Sequence, residues 1–435
     1  MTFLDSVLDR AKRRADSAEI FSLKSETTAC AWNADKLKVV EVKETMGVAL
    51  RVLIDGRIGF FATNKLDDPD FVVDTACELA PHGLEFGGEF PRFYEPVEVD
   101  CFDKFTASFG VETLIDSGNE CIARLKEAKP EAIFEAKFDR DVVHVEIANT
   151  HGAHAKYSLS RFSGFLYGSV TKEGDVLNLY EYDASSRFSD QPKEWVDTML
   201  RKFRDASEVV SLSPGEYPCI IIPKAHGIFN PLRLALNARS VLKDMSPFKN
   251  KVGEKIFGDK VHLIDDGRYP YASATQPLDD EGVATQTTPL VEAGVLKGFI
   301  HDLHTAGVMG VKPTGNGSRG GLSSAPKAGF TTFMLKPEEN TLEDMVKSME
   351  RGVIIDQIMG AHQASPFSGD FSVSIDLGFL VEKGEIVGRF KDSMLSGNVF
   401  RMLKEQIVKI GDKPAFSGFF FPPILFDSMS VATSG

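Results

Sequence analysis

The stretch that most limits what this chain can become runs from Pro277 to Gly321. It reads Pro-Leu-Asp-Asp-Glu-Gly at 277–282 and Val-Glu-Ala-Gly-Val-Leu-Lys-Gly at 291–298, and it ends in Pro-Thr-Gly-Asn-Gly-Ser-Arg-Gly-Gly at 313–321. Each glycine loses more backbone freedom on folding than any other residue. So many in one region point to backbone that must come close to a ligand, a peptide or another chain. The plainer reading is a set of surface loops joining strands. Asp279, Asp280 and Glu281 crowd three carboxylates at one turn. They are read as a solvated acidic turn, with ligation or acid–base work as the alternative.

The loop Gly315-Asn-Gly317-Ser-Arg-Gly320 spells GxGxxG. A dinucleotide site needs a strand before that pattern and a helix opening on it. Here Pro313 precedes it and Leu322-Ser-Ser-Ala-Pro326 follows, so nucleotide binding is disfavoured. Exposed backbone donors in this loop suit peptide or carbonyl recognition, and Arg319 suits a carboxylate clamp. His301 and His304, three apart on a predicted helix, are the strongest pair of imidazoles for a metal. Zinc would still need a third protein ligand.

With 435 residues the chain is expected to hold two or three domains. A net charge of −14 argues against direct nucleic-acid contact, which draws on basic surfaces. The one basic cluster, Arg10 to Arg14, reads as a solvated helix face. Five scattered cysteines, with no CxxC, fit a reducing compartment better than a disulfide framework or zinc finger. The first residues lack the apolar core of a signal peptide. The late apolar run Phe416 to Phe426 is interrupted by Gly418, Pro422 and Pro423 and is too short to span a membrane. A cytoplasmic, non-membrane protein is expected.

In chain order, Thr2 and Asp5 frame a first helix. Extended segments follow at 18–23, 27–32 and 36–42. Asp55-Gly56 between apolar runs at 47–54 and 57–63 is a strong hairpin signal. A helix is predicted from Pro69 to Leu79, then a Pro-, Gly- and Phe-rich linker from Pro81 to Pro96 whose phenylalanines can dock on a neighbour. Helices at 111–129 and 192–206 bracket strands at 142–148, 155–160, 164–171 and 176–182. A buried strand at 217–222 opens the last unit, and Thr341 with Asp344 caps a later helix. Val-Glu-x-Gly hairpins recur at 291–294 and 381–384. The expected fold is α+β in three units: a small N-terminal α/β-hairpin domain with its linker (1–96), a central, mainly antiparallel β domain with helices (97–212), and a larger β-rich C-terminal domain (213–435).

These segments carry a resemblance. Asp280-Glu-Gly282, Val291-Glu-x-Gly294-Val-Leu-Lys-Gly298 and Pro313-Thr-Gly-Asn-Gly317 resemble, in order and spacing, the TldD/PmbA family. Gly47 to Thr63, Ser368-Gly-Asp-Phe-Ser372 and Leu395-Ser-Gly-Asn398 are similar to further signatures of that family, so the likeness covers nearly the whole chain. It implies a cytoplasmic proteolytic system, once linked to modulation of DNA gyrase. In that family the TldD-type subunit carries HExxxH and a late cysteine that hold zinc and activate water. Its PmbA (TldE) type partner lacks them.

The motif should fall on the helix after strand 217–222. Aligned there, Asn230, Pro231 and Ala235 occupy its His, Glu and His positions, and no cysteine follows Cys219. Asn230-Pro231 reads instead as a helix cap followed by a first-turn proline. The resemblance thus implies a non-catalytic subunit with no cofactor of its own, zinc being expected in a TldD-like partner. That partner is a TldD-like chain or a second copy, and the substrate a peptide or unfolded polypeptide. Substrate or subunit contact is expected at Asp280, Glu281, Gly282, Gly294, Thr314, Gly315, Asn316, Gly317 and Arg319. Two rivals stand beside this: an active metallopeptidase using His301, His304 and Asp280, and a gyrase-associated regulator whose acidic surface mimics DNA.

Overall fold

The computed structural model describes residues 2–189, 191–361, 365, 367–414 and 419–433. Residues 416–418 of the late apolar run lie outside these. Helix α1 (Phe3–Ala11) starts at a capping box: the Thr2 hydroxyl accepts from the Asp5 amide while the Asp5 carboxylate accepts from the Thr2 amide. Strands β1 (Ser17–Asn33), β2 (Lys36–Ile54) and β3 (Arg57–Thr63) follow, then α2 (Pro69–Leu79) on the Asp68 cap. The predicted extended segments at 18–23 and 27–32 are one long strand, as are those at 36–42 and 47–54. Continuous pairing on neighbouring strands carries each across its polar middle, which periodicity alone reads as a break.

After α3 (Lys104–Ser108) and α4 (Val111–Ala128) come three long strands, β4 (Ile133–Asn149), β5 (His154–Lys172) and β6 (Asp175–Ser185), and helix α5 (Gln191–Asp205). The first two units share one antiparallel sheet in the order β3-β2-β1-β4-β5-β6. Its seam is the β1–β4 pairing from Glu19↔Asn149 to Trp32↔Ala136.

The third unit is a mixed barrel. Strand β7 (Gly215–Ile221) leads into a 3₁₀ turn at Pro223–Phe229 and the short helices α6 (Asn230–Ala235) and α7 (Ala238–Leu242). A side layer follows: β8 (Leu263–Asp266), β9 (Thr287–Glu292), β10 (Val295–Leu296), α8 (Leu303–Met309), β11 (Gly317–Ser318), β12 (Lys327–Ala328) and β13 (Phe333–Leu335). Helix α9 (Leu342–Lys347) and strands β14 (Arg351–Met359), β15 (Asp370–Glu382), β16 (Glu385–Phe390), β17 (Ser393–Asn398), β18 (Ile407–Ile410) and β19 (Ile424–Thr433) complete it. The order β14-β7-β19-β17-β15 closes on itself because β14 also pairs with β15.

Period-two alternation on β7 explains how barrel and sheet meet. Cys219 and Ile221 point into the barrel core with Phe229, Leu232 and Phe421. Ile220 and Ile222 point outward into a second core with Phe134, Phe138 and Trp195 of the sheet layer. Both faces of β7 are therefore buried, as its unbroken apolar run predicts. The echo between 291–294 and 381–384 is turn chemistry: Ala293-Gly294 and Lys383-Gly384 both take positive φ at their two central positions, as type I′ hairpins require.

Candidate functional site

The glycine-rich stretch packs against the sheet, and a cavity of about 390 Å³ opens between them. Phe21, Val143 and Arg161 line its sheet side; Asp280, Gly317 and Arg319 line the other. The acidic turn, read from the sequence as solvated, is instead buried. Asp279 is 2% exposed and Glu281 1%. A carboxylate is expensive to bury unless donors or cations meet it, and here they do. Asp279 Oδ1 accepts from the Glu281 and Val283 amides at 2.9 Å each, and its Oδ2 from the Gly317 amide at 2.7 Å. Glu281 accepts from Arg51 at 2.6 Å through one oxygen and from the Leu303 amide at 2.7 Å through the other.

Arg51 also binds Glu19 at 2.8 Å, and all three side chains are at most 3% exposed. Phe86 and Phe90 of the Pro81–Pro96 linker lie 5.9 and 5.0 Å from the Arg51 guanidinium. That linker also docks on the third unit, where Phe86 stacks on His304 and the Gly87 amide donates to its Nδ1. Burial raises the Asp279, Asp280 and Glu281 carboxyls above their ordinary range. Asp279 feels Glu281 as a further raising charge, opposed by its three backbone donors.

Arg319 is not a free clamp. Its backbone N–H donates to Asp280 Oδ2 at 2.7 Å, its Nη1 donates to the Ser324 carbonyl, and its guanidinium lies 4.8 Å over the Phe21 ring and 3.6 Å from Glu19. Burial lowers its pKa to about 10, which leaves it charged at neutral pH. Among the described residues its Nε and Nη2 have no hydrogen-bond acceptor. The backbone donors expected to be exposed in this loop are largely used internally: the Gly317 amide meets Asp279 and the Arg319 amide meets Asp280.

Asn316 is buried, and its amide nitrogen donates to Asp265 at 2.6 Å and to the Gly329 carbonyl at 2.9 Å. Thr314 accepts from the His301 amide. Gly315 and Gly282 sit at positive φ; a Cβ on Gly282 would strike the Tyr94 ring, and one on Gly317 would come within 2.5 Å of Glu281 Cγ. Gly294 is elsewhere, in the β9–β10 turn against the Phe257 carbonyl. Of the expected contact residues it alone lies outside this cluster.

His301 precedes α8; Asp302 caps the helix, with its Oδ1 accepting from the Thr305 amide. His304 Nδ1 accepts from the Gly87 amide at 3.2 Å, and its ring stacks on Phe86. Burial pulls the His301 pKa down. Sequence reading missed Glu19 and Arg51. Their signal was available: each is a lone charge inside an apolar strand run, a placement that is stable only with a buried partner.

The place where the resemblance puts a metal ligand set is chemically different. On α6, Pro231, Leu232 and Ala235 are buried and Asn230 is exposed. Asn230 does not act as the predicted cap: its φ and ψ are already helical, and Phe229 holds the cap position with no side-chain cap bond. Nearby His226 is 1% exposed between Phe229 and Phe421, and burial depresses its pKa to about 3. Burial pushes the Cys219 thiol well up. Zinc wants several converging nitrogen, sulfur or carboxylate donors. Among the described residues no three His, Cys, Asp or Glu side chains form such a group, so the residues present do not fit the ion.

Family models for the PmbA/TldA metallopeptidase match three successive segments: domain 1 at residues 18–80, the central domain at 111–206 and the C-terminal domain at 214–433. The chain belongs to the PmbA/TldD metallopeptidase family. A Methanocaldococcus jannaschii protein named a metalloprotease is 32% identical, over 82% of this chain and 81% of its own length. The crystal structure of TldE from Thermococcus kodakarensis has the same fold, with a TM-score of 0.92 at 23% identity, covering 99% of this chain and all of the other. A Thermotoga maritima protein, named for a proposed role as modulator of a DNA gyrase, matches with a TM-score of 0.90 at 26% identity, over 99% of each chain. No described helix is long and apolar enough to cross a membrane.

Proposed function

We propose that this chain is the PmbA/TldE-type, non-catalytic subunit of a cytoplasmic peptidase assembly acting on peptides or unfolded polypeptides. It works beside a TldD-like chain, which supplies zinc, or in a pair with a second copy. One observation carries this: the helix that should present His, Glu and His presents Asn230, Pro231 and Ala235, two of them buried among apolar neighbours. Metal-activated hydrolysis of a peptide bond needs a bound water and a base to deprotonate it, and these three side chains offer neither. The cavity above Gly317 then has a holding role. Asp280 and Arg161 line one cavity with the apolar Phe21 and Val143, a mixed wall suited to extended peptide.

The test is a peptidase assay on an unfolded polypeptide with the purified chain alone and with an HExxxH-bearing relative added. The expected result is hydrolysis only in the mixture. Hydrolysis by the single chain, lost in His301→Ala/His304→Ala, would instead establish the atypical-ligand enzyme. The likeness to the gyrase-modulator structure keeps a second reading open to one experiment: affinity capture that recovers topoisomerase subunits and no TldD-like chain.

A further inference from the structure

A second cavity, of about 240 Å³, lies where strand β3, the Pro81–Pro96 linker and the C-terminal unit meet. It shares no lining residue with the cavity above Gly317. Its walls are largely apolar: Ile58 and Phe60 come from β3, Leu84 and Phe86 from the linker, and Pro326 from the loop before β12.

Six charged side chains also border it, three of them acids. Every acid already has a partner. Glu281 accepts from Arg51 through one oxygen and from the Leu303 amide through the other. Asp302 accepts from the Thr305 amide at 2.7 Å and, through its second oxygen, from the Ala328 amide at 2.9 Å. Glu85 pairs with Arg57 at 3.2 Å.

The donors are left over. Among the described residues the Arg239 guanidinium on α7 makes no hydrogen bond; its one ionic contact is Asp302 at 3.6 Å, beyond hydrogen-bond reach. Lys327 is exposed and pairs with no described acid. His304 Nδ1 accepts from the Gly87 amide, so the ring proton sits on Nε2 and makes that nitrogen a donor too. Apolar walls with a few unspent polar groups are the ordinary make-up of a small-ligand site. Because the unspent groups here all donate, the ligand must accept.

We infer that this cavity binds a monocarboxylate bearing one apolar group. Its carboxylate meets Arg239, with His304 and Lys327 beside it, and its apolar group lies against Phe60 and Phe86. A guanidinium matches a carboxylate through paired N–H groups. A phosphate fits worse, because its second charge would meet Glu281 and Asp302, which border the same space. The ligand has two sources of the same chemistry, a free small acid or the carboxyl end of a peptide. The site does not depend on the chain's role as an assembly subunit.

Isothermal titration of the full chain with phenylpropionate should give one site with a dissociation constant of about 1 mM or lower. Phenylpropionamide, the same shape without the charge, should bind about tenfold or more weakly. Arg239→Gln should cost a similar factor, and Lys327→Gln about threefold. Arg239→Gln strands no acid, because both Asp302 oxygens keep their backbone donors. A second measurement needs no variant: in isotope-labelled wild type the His304 Nε2 resonance should move with the acid and not with the amide.

A peptide ending in phenylalanine, set against its carboxyl-terminal amide, separates the two sources. Preference for the free terminus assigns the peptide, and binding of phenylpropionate alone assigns a small acid. No saturation by about 10 mM phenylpropionate, equal binding of acid and amide, a still His304 resonance, or wild-type affinity in Arg239→Gln would each overturn the inference.

Discussion

The cavity between the glycine-rich stretch and the sheet, and the helix α6 of the C-terminal unit, have opposite chemistry. Beside the cavity, Glu19, Arg51, Asp279, Glu281 and Arg319 are buried polar side chains that bind one another or the backbone. Around α6, burial is apolar: Leu232, Ala235, Phe229 and Phe421 pack together, and the His226 imidazole beside them is held neutral. The difference separates the residues that hold the scaffold together from those that would perform chemistry. Replacing ligands on α6 by Pro and Ala strands no charge. Losing Arg51 from its contacts with Glu19 and Glu281 does, because a buried carboxylate without its cation is strongly destabilising.

That contrast is open to attack, starting from its largest expected effect. Arg51→Met should destabilise the protein by about 3–5 kcal/mol, since it leaves Glu19 and Glu281 buried and facing each other. The urea midpoint should drop accordingly, and an unchanged midpoint would mean the ionic seam holds nothing. Gly317→Ala comes next, at about 2–3 kcal/mol, because its Cβ would overlap Glu281 and push it off Arg51. Replacing Gly298, which has open space around its missing Cβ, is the matching control and should change little.

On the α6 side, His226 has a folded pKa near 3 against an ordinary 6.5. The unfolded chain binds the proton more readily, so the stability gained by keeping His226 neutral is present above pH 6.5 and is lost as pH falls toward 3. His226→Phe should therefore flatten the pH dependence and gain about 2 kcal/mol over wild type at pH 5 relative to pH 7. Asp265 should act in the opposite sense. Its folded pKa is raised to about 6 from 3.8, chiefly by burial. Its contribution is present below pH 3.8 and is lost as pH rises through 6. Asp265→Asn should remove that slope, a change of about 1 kcal/mol between pH 5 and 6, read from urea midpoints at each pH.

Much of the architecture is legible in the sequence for identifiable reasons. The Thr2–Asp5 box, the Pro69 start of α2 and the Asp55-Gly56 turn are local instructions that tertiary structure leaves intact. Strand length was less legible. The polar residues Lys24 to Thr27 look like a break between two extended segments, yet β1 runs through them because β2 and β4 pair along both sides. The same non-local effect hid the site. Asp279-Asp280-Glu281 looks like a solvated turn until Arg51, 230 residues away in sequence, is brought against Glu281. A charge's partner is set by topology, and no local pattern encodes it. The Gly294 turn shows the converse: its likeness to other turns made it look like part of the site, while the fold uses it to pass the Phe257 carbonyl.

The most direct test of the central claim is the zinc content of the purified, zinc-loaded chain measured by native mass spectrometry, alone and mixed with an HExxxH-bearing relative. The account predicts zinc in the mixture and essentially none on this chain by itself. One zinc per chain without the relative, lost on changing His301 and His304 to Ala, would contradict it.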